Sequence, residues 1–247
     1  MPRRQVTSLS LEERTSSEPF QNRKQLYIMH FFFAFVSRMW DMGIVLLVAQ
    51  LTNNSLFLVA VTGLLSALAV FLFMTTIGAW LDKTNRITAV RVALSVKCFA
   101  VSGAYMICAY LNTIQPASSG PTGDAFDTES DTDTDLHLLL YSLPLLGAVA
   151  KLSFCAITQS IEKDWVVVLS NRDSNWLATT NSFMTQIDLA CSSLAPALTG
   201  VLFACLSHAD VSLILLGVNA AAAFTLYLFM NHVYSAWPAL GMKVCYR

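Results

Sequence analysis

Six stretches of this chain stay apolar for more than twenty residues, and each must be buried in something other than water. They are Leu26–Ala49, Leu56–Leu81, Ala89–Leu111, Leu136–Ser160, Asn181–Leu206 and Val211–Tyr234. A hydrocarbon layer about 30 Å thick is crossed by roughly 20 residues of helix, so each stretch is long enough to span one. The short alternating segments of a membrane barrel are missing, and helices are then the way to satisfy backbone groups in lipid. Only 13% of the 247 residues are charged, about half the share usual in a soluble domain. The expectation is an all-α membrane protein with six transmembrane helices.

Lysine and arginine give the orientation. The segment before the first span holds Arg3, Arg4, Arg14, Arg23 and Lys24, and the second inner connection holds Lys83, Arg86 and Arg91. Lys163 and Arg172 follow the fourth span, and Lys243 and Arg247 follow the sixth. The alternate connections, at 51–55, 112–135 and 207–210, contain no basic residue. This asymmetry predicts both termini on the cytoplasmic side. The first 25 residues are polar, with no short apolar core, so no cleaved signal peptide is expected and the first span serves as the insertion signal.

The outer connection 112–135 carries six acids and no base among Pro, Ser, Gly and Thr, which predicts a disordered, solvated loop. Its acids lack the glycine turn and terminal glutamate of a calcium loop. The sequon Asn53-Asn54-Ser55 lies against the membrane in a short turn, where glycosylation is not expected. Residues 162–180, with Trp165 and Trp176, read as an interfacial connection. The six cysteines show no zinc spacing and read as packing residues.

Charges inside the spans demand a reason, because each costs roughly 2.5–3.5 kcal/mol at the centre of a membrane helix. Arg38 and Asp41 lie in mid-span, three residues apart, and could form an ion pair on one helix face. His30, Ser37 and Asp41 share one face of the first span. Lys151, Cys155, Thr158 and Glu162 do so in the fourth, and Asn181, Thr185, Asp188 and Ser192 in the fifth. Interhelical hydrogen bonding explains the serines and threonines, at about 0.6 kcal/mol a pair. It explains Asp41, Lys97, Lys151 and Asp188 poorly, and these favour a hydrated solute pathway. No phosphate loop, nucleophile elbow or metalloprotease helix is present, so an enzyme is not expected. No basic patch suggests nucleic acid, and no cofactor is implied.

The inner turn Gly78-Ala79-Trp80-Leu81-Asp82-Lys83-Thr84-Asn85-Arg86 fits G-x-x-x-D-[KR]-x-x-[KR]. That pattern resembles the signature loop of the major facilitator superfamily, and implies one lobe of such a transporter. Arg38-Met39-Trp40, Asn54-Ser55-Leu56, Lys163-Asp164-Trp165-Val166-Val167-Val168, Ile187-Asp188, Leu194-Ala195-Pro196 and Pro238-Ala239-Leu240 follow in order. Together these segments resemble ferroportin, the iron exporter family of solute carrier family 40, from about Leu26 to Leu240.

Ferroportins have twelve spans in two lobes, and this chain resembles the amino-terminal one. The domain order implied is a cytoplasmic tail (1–25), a six-span lobe (26–234) and a second cytoplasmic tail (235–247). The resemblance implies outward transport of divalent iron or a similar metal by alternating access, in the plasma membrane. It also implies a partner lobe of six further spans, or a homodimer in its place. A truncated, non-transporting or regulatory lobe is the alternative.

Metal-binding candidates are Asp41, Asp188, Asn219 and His30. The family's other ligand positions align with Ser37, Lys97 and Leu226, which supply no carboxylate or amide, and a lysine beside a cation site is unfavourable unless it pairs or loses its proton. These departures weigh against ion binding in this lobe. Asp82, Arg86 and Asp164 match the inner gate, although Thr185 replaces an arginine common in that lock. Gly78, Arg38 and Trp40 are expected to pack the lobe.

Overall fold

A computed structural model describes residues 3–52, 56–114, 131–170 and 173–236, with side chains from Lys24 onward and, in the fourth span, from Leu138. Helix α1 is Arg3–Leu51, α2 Leu56–Lys83, α3 Arg86–Ile114 and α4 Asp131–Thr158. A π-helical segment, Gln159–Trp165, leads into the short α5, Val166–Leu169. Helices α6 (Ser174–Cys205) and α7 (His208–Ala236) complete the bundle. Among the described residues there is no strand, and six helices are long and apolar enough to cross a membrane. The sequon, most of the acidic loop and the segment after Ala236 lie outside the described residues.

Several boundaries differ from the sequence reading: α1 begins at Arg3, within the expected tail, and α4 at Asp131, within the connection expected to be disordered. The fourth span does not stop at Ser160 but continues to Leu169. Trp165, expected at an interface, is wholly buried. It packs in the core with Ile161, Val166 and Leu169. Charge in the run Glu162-Lys163-Asp164 suggested a loop, whereas the apolar residues around it supply enough burial to hold a helix. Helix α6 likewise begins at Ser174, well before Asn181. Asp173 caps it, accepting bonds from the Asn175 and Trp176 N–H groups at 2.9 and 3.1 Å, a standard way of satisfying first-turn donors.

The core divides into two apolar clusters. One joins Met39–Leu51 of α1 to Ala100–Leu111 of α3, with Leu143, Ala195 and Leu215. The other joins Leu26–Phe33 to Val90–Leu94, Ile157–Val166, Met184 and Leu226–Val233. Between them runs a band containing Ser37, Lys97 and Asn219, all buried. Polar side chains therefore collect at mid-bundle, where water is most distant.

Helix α2 stands at the margin: Phe57, Leu64, Phe71 and Leu72 are each more than 60% exposed. In water such a surface would associate, whereas hydrocarbon matches it. Small residues set the close contacts. A Cβ at Gly147 would meet Thr62 Cγ2 at 3.2 Å, and one at Gly43 would meet Leu215 Cδ1 at 2.9 Å and Tyr105 Oη at 3.3 Å. Such small-residue seams let membrane helices approach closely. At Gly78 the nearest atom would be Gln159 Nε2 at 4.0 Å, so a methyl fits within this bundle.

Gly43→Val is expected to destabilise the bundle by about 1–3 kcal/mol through overpacking. Gly200→Ala, with nothing near the added methyl, should be neutral or gain up to about 1 kcal/mol. Thermal unfolding of the detergent-solubilised chain compares them, and equal melting temperatures would contradict the close α1–α7 seam.

Candidate functional site

His30, on α1, is 3% exposed and lies where α1, α6 and the π-helical segment converge. Its Nε2 stands 3.2 Å from Asp188 Oδ1 on α6, and its Nδ1 stands 3.9 Å from Glu162 Oε1. Nε2 has no partner along a hydrogen-bonding direction, an uncommon condition for so buried a polar atom. One ligand atom from each of His30, Glu162 and Asp188 falls within 4.8 Å of the others. An imidazole and two carboxylates form a mixed nitrogen–oxygen set suited to borderline divalent ions. Asp188 is 38% exposed, so the cluster has an open side.

Asp41 has a different setting. Its Oδ2 is 3.6 Å from Lys151 Nζ and 3.9 Å from Arg38 Nη1. The expected Arg38–Asp41 contact is present, and Lys151 joins it. Two cations on one carboxylate leave little negative field for a metal ion. Asp41 and Lys151 also line a cleft of about 700 Å³ between α1, α2 and α4, otherwise largely apolar.

The structure does not bring Asn219 to either carboxylate. Its Nδ2 donates to Ser102 Oγ at 3.1 Å, with Cys98 Sγ at 3.9 Å. It lines a small void between α1, α3 and α7 with Lys97 and Leu226. Lys97 donates to Ser37 Oγ at 2.7 Å and lies 4.6 Å from the Phe33 ring centroid. Phe33 stacks on Phe154, whose ring also faces Lys151 Nζ at 5.3 Å. Cation–π contact partly offsets the desolvation of an ammonium group. Thus Ser37, Lys97, Asn219 and Leu226 sit together as a packed unit, separate from His30 and Asp188.

At the end of the bundle carrying the first turn of α3, Arg86 Nε donates to Asp164 Oδ2 at 2.7 Å. Asp82 is exposed near the end of α2. Thr185 donates to Asn181 O within its own helix. Trp40 is buried edge-on against Tyr105, with centroids 5.2 Å apart.

Glu162 lies in the fourth-span stripe but is absent from the metal ligands expected from sequence. A sequence signal for it exists. Asp41 and His30 are eleven residues apart, as are Lys151 and Glu162, so antiparallel spans that pair the first two with Lys151 pair the second two as well. Its neighbours Lys163 and Asp164 suggested a loop and hid it.

These features define an all-α, multi-pass membrane bundle with charged clusters in its interior. The family model of Ferroportin1 (FPN1) matches residues 21–244. Solute carrier family 40 member 1 of Danio rerio is 31% identical over 229 residues, 92% of this chain and 39% of that protein. The Oryza sativa subsp. japonica protein of the same name is 30% identical, covering 88% and 43% respectively. Human Ferroportin is 26% identical over 88% of this chain and 37% of its own length. The chain belongs to the ferroportin family. It spans about two fifths of the length of these relatives.

Ser37→Ala removes the oxygen to which Lys97 donates, and should cost about 1–3 kcal/mol as a buried donor loses its partner. Lys97→Met removes donor and charge together and should be neutral or stabilising. Melting curves of both variants test the buried contact; an unchanged Ser37→Ala protein would show that it contributes nothing.

Proposed function

We propose that this chain is the amino-terminal lobe of an exporter of iron or a similar divalent metal. The observation that carries the reading is the convergence of His30, Glu162 and Asp188, with an unpartnered imidazole nitrogen, inside a membrane bundle of the ferroportin family. Here the three side chains form a waypoint for the ion. Asp41, held by Arg38 and Lys151, shapes the cleft beside it. Alternating access requires a second lobe, six further spans or another copy of this chain, closing over the face that exposes Asp188 and Thr185. The distribution of basic residues supports cytoplasmic termini, and the resemblance supports a plasma-membrane location. Arg86 and Asp164 belong to the inner gate, with Asp82 beside them.

A second reading has its own observation. Lys97, Lys151 and Arg38 outnumber the acids at mid-bundle, which favours a non-transporting or regulatory lobe. The two readings part in metal release from preloaded cells expressing the chain, alone and with a co-expressed second lobe. Export predicts efflux that Asp188→Asn lowers at least tenfold and Asp41→Asn lowers much less. No efflux from either pairing, with the chain folded at the membrane, would leave the regulatory reading.

A further inference from the structure

The π-helical segment carries a ligand of the candidate site and one half of the gate pair. Glu162 faces His30, and two residues later Asp164 accepts from Arg86. Helices of this type are rare, and they concentrate at functional positions. Here the widened turn spans seven residues, closing with the Val166 N–H on Ile161 O. Around it are buried polar atoms without partners: Thr158 Oγ1 at its start, Trp165 Nε1 at its end and His30 Nε2 opposite. Unpaired groups at both ends mark a segment whose hydrogen bonding is incomplete in this arrangement.

We infer that the segment is a coupling element: an ion bound by His30, Glu162 and Asp188 draws Glu162 inward and releases Asp164 from Arg86. The inference rests on the cation site proposed above. Three ligands around one tetrahedral ion, at bonds of about 2.1 Å, stand roughly 3.4 Å apart. In this structure the ligand atoms lie within 4.8 Å of one another, and His30 Nδ1 and Glu162 Oε1 are 3.9 Å apart, so binding requires contraction. Helices α1 and α6 are long and joined by Tyr27–Phe183 stacking. The π-helical turn is the softer of the three supports. Drawing it toward α form rotates its two ends relative to each other by up to about 100°. Asp164, near the far end of the same turn, is displaced with it, which pulls it from Arg86, now 2.7 Å away. Asp164 then becomes available to pair across the seam with whatever closes over the lobe.

The test uses the full 247-residue chain in lipid nanodiscs, with manganese(II) as the probe and its paramagnetic resonance reporting bound ion. By linkage, if the ion opens the latch, an opened latch tightens the ion. Asp164→Asn and Arg86→Gln are both expected to strengthen binding, by about fivefold or more. Electrostatics alone gives opposite signs, because losing an acid weakens cation binding and losing a base strengthens it. Weaker or unchanged binding in Asp164→Asn, with Asp188→Asn still abolishing it, would overturn the coupling and leave the site standing. Binding indifferent to Asp188→Asn would remove the site and the coupling together. Hydrogen exchange of residues 158–170 in the unsubstituted chain tests the coupling with the latch intact. Saturating manganese should lower exchange there as the turn tightens toward α form, and fail to do so in Glu162→Gln; unchanged exchange in the unsubstituted chain overturns the inference.

Discussion

An ammonium group carried into the middle of a hydrocarbon layer has to be answered by protein, since little water is there to do it. Lys97 is answered by the Ser37 hydroxyl and the Phe33 face. That requirement draws α1 and α3 together at mid-bundle and separates two apolar clusters on either side. Lys151 and Arg38 converge on Asp41 by the same necessity. The bundle's helix contacts are therefore set as much by where charge can be tolerated as by apolar packing, which lipid does not reward strongly.

Asp41 and Asp188 show how position decides the chemistry of one residue type. Both are 38% exposed. Asp41 has two basic side chains within 4.0 Å, whereas Asp188 has a histidine, with a glutamate nearby. A divalent ion near the first competes with fixed cations that cannot leave. Near the second it adds charge where negative charge is in excess. Within this bundle electrostatics therefore favours a cation at the His30 end of α1 over one at Asp41, three turns away.

The six spans were legible because length and apolarity survive any arrangement of neighbours. The pairing of Arg38 with Asp41 was legible too, since it is local to one helix. What could not be read was which stripe faces which. His30, Ser37 and Asp41 share one face of α1, yet they meet α6 and the π-helical segment, α3, and α4 respectively. Asn219 looked like a partner for the carboxylates but lies against α3, because its register on α7 is fixed by contacts distant in sequence. Trp165 failed for another reason: an aromatic flanked by charges reads as an interface anchor, and only tertiary packing shows that the charges turn aside while the indole is buried.

The proposed export adds a demand that folding does not, because a site that holds an ion must also let it go. Ligands fixed on three rigid helices would bind in one geometry and release slowly. Placing one ligand on a π-helical turn makes a small change in hydrogen-bond register sufficient to alter the coordination distance. The same turn ends in Trp165, whose buried N–H lacks a partner. A segment in that condition responds to a ligand with modest differential affinity, since the shift in population is limited by that difference. On the coupling inferred above, the unpartnered groups around Gln159–Trp165 and the open spacing of His30, Glu162 and Asp188 are two aspects of one arrangement.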